Sequence, residues 1–141
     1  LAGGRGWDGT IDDVIATVPS HLRVLRPGYL PAEHLPGFLG GATAVVYPTL
    51  GEGFGLPVLE GMACGAPVLT TRRLSIPEVG GDAVEYCEPD VPSIADGLRR
   101  LLDDEVLRAR LAEAGPLRAA EFSWAATARS HIAAYRAAVR G

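Results

Sequence analysis

Two compact apolar runs, 43–47 (TAVVY) and 67–71 (PVLTT), constrain this chain more than any other feature, because the stretch between them has helical length. Short runs rich in β-branched residues and bounded by prolines read as strands buried on both faces. A further short strand is expected at 84–87 (VEYC), and another at 22–25 between helices at 11–18 and 31–39. Strands alternating with helices, each strand short and apolar, indicate a parallel sheet covered on both faces. The expected class is therefore α/β, a Rossmann-like parallel sheet followed by C-terminal helices. From Ile94 onward the pattern is wholly helical, with Leu98, Leu101 and Leu102 on one face, Leu107 and Leu111 on the next, and Ser123 capping a last helix.

The chain opens on LAGG, which resembles the tail of a buried strand and the turn after it, so it is expected to lack its first βα unit. The expectation is one domain over 1–141, with a helical tail at 92–141 inside it.

Composition removes several function classes. The net charge of −4 and the lack of any basic run argue against a nucleic-acid surface. The thirteen basic residues are all arginine, a bias of composition rather than of function. Cys64 and Cys87 form no CxxC and have no histidine at ligand spacing, so neither zinc nor a disulfide framework is expected. No apolar run approaches the roughly 20 residues that a bilayer requires. A cytoplasmic location is expected, and any peripheral membrane association belongs to a longer protein.

The chemistry concentrates in 52–68, EGFGLPVLEGMACGAPV, directly after the first of the two apolar strands. Gly53 and Gly55 allow a positive φ or a close approach of backbone to ligand. Pro57 suits the first helical position, where its missing N–H costs nothing. The amides of Leu56 and its neighbours, with the helix dipole behind them, suit phosphate or electron-rich sugar oxygens. Glu52 precedes the loop and Glu60 follows about one turn into the helix, eight positions on. The loop, the Gly28 turn and the Ser75 turn all fall at the carboxyl ends of strands, where a doubly wound sheet has its crevice.

Over nearly its whole length the chain resembles a known family. LAGGRGW, RVLRPGYLP, FLGGATAVVYPTLGEGFGLPVLEGMACGAPVLTT, LSIPEVGGDAVEYCEP and EFSW stand in order with sensible spacing. They are similar to the C-terminal half of a GT-B glycosyltransferase, most closely of glycosyltransferase family 4. The resemblance implies retaining transfer of a sugar from a nucleotide-diphosphate sugar, the donor being held mostly by this Rossmann-like domain. No D-x-D sequence occurs, so a divalent-metal phosphate clamp has no candidate, and no metal or other cofactor is expected. The resemblance gives Glu60 the ribose hydroxyls and Glu52, as the catalytic residue, hydroxyls of the donor sugar. It gives the amides of Gly53, Phe54, Gly55 and Leu56 the sugar and the β-phosphate, and the strand end at Leu25 and Arg26 the nucleobase edge. The expected partners are the nucleotide sugar and an N-terminal GT-B domain of the same protein, which carries the acceptor pocket and a frequent active-site histidine. The family's arginine and lysine for the diphosphate lie ahead of Leu1, and this sequence has no lysine. The chain is thus expected to be an enzyme half, inactive alone.

Each signal has a plainer reading. Glutamates near a helix start are often solvated acids, and it is the surrounding blocks that lift Glu52 and Glu60 above that. Ser75 with Glu78 has the capping-box spacing and reads as a structural cap. His21, His34 and His131 lack partner spacing, and Arg72 and Arg73 are left unassigned. Trp124 and Tyr135 read as packing on a neighbouring domain. A non-catalytic nucleotide-sugar-binding or regulatory module on the same fold is the alternative function, and a nucleotide-sugar epimerase on the same scaffold is a weaker third.

Overall fold

A computed structural model describes residues 1–4 and 9–140. The chain divides into two compact units, Leu1–Leu35 and Pro36–Gly141. Within the first, α1 (Thr10–Ala16) occupies the expected helical stretch. Ala2 pairs in parallel with Gly28 through a single bridge, and the Gly3 N–H donates to the Gly28 carbonyl at 2.8 Å. The strand expected at 22–25 is not formed. Residues 23–26 carry no regular structure, because a parallel strand needs a ladder and this one bridge does not supply it. The LAGGRGW block runs past the described residues at positions 5–7.

A 3₁₀ turn at Ala32–His34, with Pro31 at its N-cap, leads into α2 (Leu35–Gly40), where the chain passes into the second unit. β1 (Val45–Tyr47), α3 (Leu56–Ala63), β2 (Val68–Thr71), α4 (Ile76–Gly80) and β3 (Glu85–Cys87) then alternate. The sheet has the order β1-β2-β3 and is parallel throughout, with Tyr47 opposite Thr70 and Thr71 opposite Cys87. Three helices follow: α5 (Val91–Asp103), α6 (Glu105–Ala119) and α7 (Trp124–Arg140).

The central strand shows why the sheet needs covering on both faces. All four residues of β2 are buried. Because successive side chains alternate, Val68 enters one core with Val58, Met62, Ile76 and Val79, whereas Leu69 enters the opposite core with Leu101 and Leu111. α3 and α4 therefore cover one face and α5 the other. Close approach is enforced by glycine: a Cβ at Gly97 of α5 would meet Leu69 Cδ1 at 2.7 Å.

α5 begins three residues before the expected Ile94, because Asp90 accepts from the Ser93 N–H at 2.8 Å and closes the N-terminus. Asp104 caps α6 in the same way through the Leu107 N–H. Ser123 caps α7 as expected, accepting from the Ala126 N–H at 3.1 Å. α7 buries none of its residues, and Trp124, Tyr135 and Val139 are largely exposed. No helix among the described residues is long and apolar enough to cross a membrane.

Candidate donor-binding site

The loop between β1 and α3 leaves the carboxyl end of the sheet, and its shape follows from Gly55. That residue takes φ 97°, ψ 47°, the left-handed region, and caps α3 from outside. A Cβ there would lie 2.5 Å from Ile76 Cδ1, and Ile76 is fully buried. Glycine is thus required twice, by the dihedral and by the contact. Leu56 is the first helical residue and Pro57 the second, one place later than the sequence reading put it. Proline costs nothing at this position either, since the second N–H of a helix also lacks an internal partner.

The Gly55 carbonyl accepts from the Val58 and Leu59 N–H groups at 3.0 and 3.2 Å. Among the described residues, the amides of Gly53, Phe54, Gly55 and Leu56 donate to no protein group. Leu56 opens an eight-residue helix whose first turn carries the positive end of the helix dipole. Phe54 is half exposed and stands edge-to-face against Phe122 with ring centroids 5.8 Å apart.

Three hydroxyls from neighbouring elements hold this loop. Thr70 Oγ1 donates to the Tyr47 carbonyl at 2.9 Å, Thr71 Oγ1 to that of Thr49 at 2.6 Å, and Ser75 Oγ to that of Glu52 at 2.8 Å. The Ser75 bond corrects the capping-box reading. α4 does start after Ser75, but the hydroxyl makes no cap and serves the loop instead. Sequence spacing could not separate these uses, because the competing acceptor lies 23 residues away.

Glu52 is half-buried, and its Oε1 accepts from the Tyr47 hydroxyl at 2.5 Å. That bond, reinforced by burial and by the carboxylate's charge, holds the Tyr47 phenol pKa up to about 12. Glu60 is exposed on α3, and among the described residues nothing bonds its carboxylate. Glu52, the four loop amides and Glu60 thus belong to one continuous loop-helix segment of the second unit.

Leu25 and Arg26 belong to the first unit. The Leu25 carbonyl accepts from the Leu1 nitrogen at 2.8 Å, and Arg26 is ion-paired with Asp12. Arg72 and Arg73 follow β2 directly. Arg72 lies 4.1 Å over the Tyr86 ring and Arg73 is 3.8 Å from Glu88. With Leu50 and Leu74 they line a shallow cleft of about 420 Å³ at the strand ends. A wider hollow of about 640 Å³ beside α5 and α6 is lined mainly by solvated charges and includes no strand-end residue.

Residues 15–118 match the model of the family described as Glycosyl transferases group 1. The chain belongs to the group 1 glycosyl transferases. It is 39% identical, over 96% of its length, to the O-antigen chain mannosyltransferase B of Escherichia coli, and spans 36% of that protein. Over 78% of its length it is 37% identical to the MMP alpha-(1->4)-mannosyltransferase of Mycolicibacterium hassiacum, of which it spans 28%. Among solved structures, sucrose-phosphate synthase from Thermosynechococcus elongatus superposes with a TM-score of 0.82 at 24% identity, over 99% of this chain and 38% of that one. HepE from Anabaena, in complex with UDP and glucose, superposes with a TM-score of 0.77 at 21% identity, over 98% of this chain and 40% of that one. The fold is the Rossmann-like α/β sheet of the GT-B glycosyltransferases, with helices on both faces. The chain spans about a third of the length of the curated relatives named here.

Proposed function

We propose that this chain is the donor-binding part of a retaining glycosyltransferase that moves a sugar from a nucleotide-diphosphate sugar to an acceptor hydroxyl. The observation that carries the reading is the segment after β1, where four unpaired amides at the head of α3 lie between two carboxylates. Diphosphate and sugar oxygens are acceptors, and the amides of Gly53, Phe54, Gly55 and Leu56 supply donors without reorganisation. Sugar and ribose hydroxyls are donors, and Glu52 and Glu60 supply charged acceptors, which bond about twice as strongly as neutral ones. Glu60 takes the ribose hydroxyls and Glu52 the hydroxyls of the donor sugar.

Departure of the nucleoside diphosphate builds negative charge on phosphate oxygens. A helix N-terminus already aimed there favours the transition state over the ground state, and this electrostatic assistance is the main catalytic contribution of the segment. Arg72 and Arg73, at the same strand ends, add positive potential. The acceptor pocket belongs to an N-terminal domain of the same protein, and the exposed apolar side chains of α7 suit packing on it. With the acceptor side elsewhere, the chain alone binds donor without transferring it.

Isothermal titration of the full-length protein with UDP, GDP and ADP tests the reading. Binding of one of them, weakened by Glu60→Ala, is expected. Absence of binding to all three, or indifference to Glu60→Ala, contradicts it. Proton NMR of the anomeric centre in the product then checks retention directly.

A further inference from the structure

Among the described residues the Glu52 carboxylate bonds one side chain, that of the half-buried Tyr47. Tyr47 ends β1, its ring packs against the core that holds Val58, Met62 and Val79, and its hydroxyl reaches Glu52 Oε1 at 2.5 Å. Both ends of this bond are tied down. The Tyr47 carbonyl is held by Thr70, the Glu52 carbonyl by Ser75, and the Thr49 carbonyl between them by Thr71. A glutamate on a glycine-flanked loop would otherwise sample several rotamers and lose that freedom whenever a ligand bound. Here the phenol holds one oxygen in place. The bond to Glu52 raises the Tyr47 pKa to about 12, so near neutral pH the phenol keeps its proton and donates it to Glu52. Among the described residues Oε2 has no partner.

We propose that Tyr47 is a positioning residue, holding Oε1 of Glu52 so that Oε2 is aimed to accept a hydroxyl of the hexose in a nucleoside diphosphate sugar. The inference rests on the donor-sugar reading of Glu52 given above and adds to it the group that aims the carboxylate. Tyr47 touches no substrate. Its effect passes wholly through Glu52, and that distinguishes positioning from simple structural support. Removing the hydroxyl leaves the ring in the core, so Tyr47→Phe retains the packing and loses only the bond to Glu52.

The test is a double-mutant cycle read by titration calorimetry on the full-length protein, with UDP, GDP and ADP and with UDP-glucose, GDP-mannose and ADP-glucose as probes. Tyr47→Phe is expected to leave the affinity for the free nucleoside diphosphate within about twofold and to weaken the matching nucleotide sugar about tenfold, as loss of one well-placed charge-assisted bond implies. In the Glu52→Ala background the same change is expected to do nothing. Equal weakening of diphosphate and nucleotide sugar would make Tyr47 a structural residue and overturn the proposal. So would an undiminished effect in the Glu52→Ala background, or wild-type affinity for the nucleotide sugar in Tyr47→Phe while Glu52→Ala is impaired. If Glu52→Ala is itself harmless, or the wild type binds none of the probes, the donor-sugar reading fails and the proposal fails with it.

Discussion

Replacing Gly55 by alanine tests whether the loop geometry is imposed by the backbone. The residue sits at φ 97°, where an L side chain is strained by roughly 1–2 kcal/mol. The new Cβ falls 2.5 Å from Ile76 Cδ1, and relieving that contact means moving a fully buried side chain, which costs about 1–3 kcal/mol. Alanine also restricts the unfolded chain and so returns about 0.5–1 kcal/mol. The net expectation is a loss of about 1–4.5 kcal/mol. The assay is urea denaturation of the chain, with Gly53→Ala as control, because a Cβ at 53 meets nothing within 4 Å. The control should stay within about 0.5 kcal/mol of wild type. Gly55→Ala should lower the midpoint while leaving the slope unchanged. Equal midpoints for the two variants would refute the argument that Gly55 is fixed by conformation and contact together.

Three further outcomes follow from the same geometry. Gly97→Ala drives a methyl to 2.7 Å from Leu69 Cδ1 and should cost about 1–3 kcal/mol in the same denaturation assay. Arg118 donates to the carbonyls of Val79 and Glu78 at the end of α4 and lies 5.0 Å over the Phe122 ring. Arg118→Lys, which loses the planar fork, should cost about 1–2 kcal/mol, and hydrogen exchange should locate the loosening in α4. Because the folded pKa of Tyr47 is raised from 10.0 to about 12, its contribution to stability is complete below pH 10 and is lost as pH rises to about 12. Phenolate absorbance should therefore show a late step near pH 12 that Tyr47→Phe removes.

The sheet and its helices were legible because their signals are local. The runs at 43–47 and 67–71 hold β1 and β2 at their carboxyl ends, and the proline and glycines after residue 52 locate α3 within a residue. The strand expected at 22–25 was not, since alternation of apolar residues says nothing about whether a ladder partner exists, and among the described residues the only pairing nearby is the bridge of Ala2 to Gly28. At the candidate site, the glutamates and glycines stood out through spacing. The groups that hold them did not: Tyr47 reads as another buried strand residue, and the hydroxyls of Thr70, Thr71 and Ser75 act on carbonyls more than twenty positions away. A polar-tipped aromatic at the end of a buried strand, five residues before an acid, was the signal available.

The central claim, that Glu60 accepts from the ribose of a bound nucleotide, is tested most directly by pairing a change in the protein with a change in the ligand. Affinities of the preferred nucleoside diphosphate and of its 2′,3′-dideoxy analogue are measured for wild type and Glu60→Ala. A charge-assisted bond of about 1.5–3 kcal/mol predicts that wild type prefers the ribose form by roughly 10- to 100-fold and that Glu60→Ala erases the preference. A preference that persists undiminished in Glu60→Ala would contradict the account.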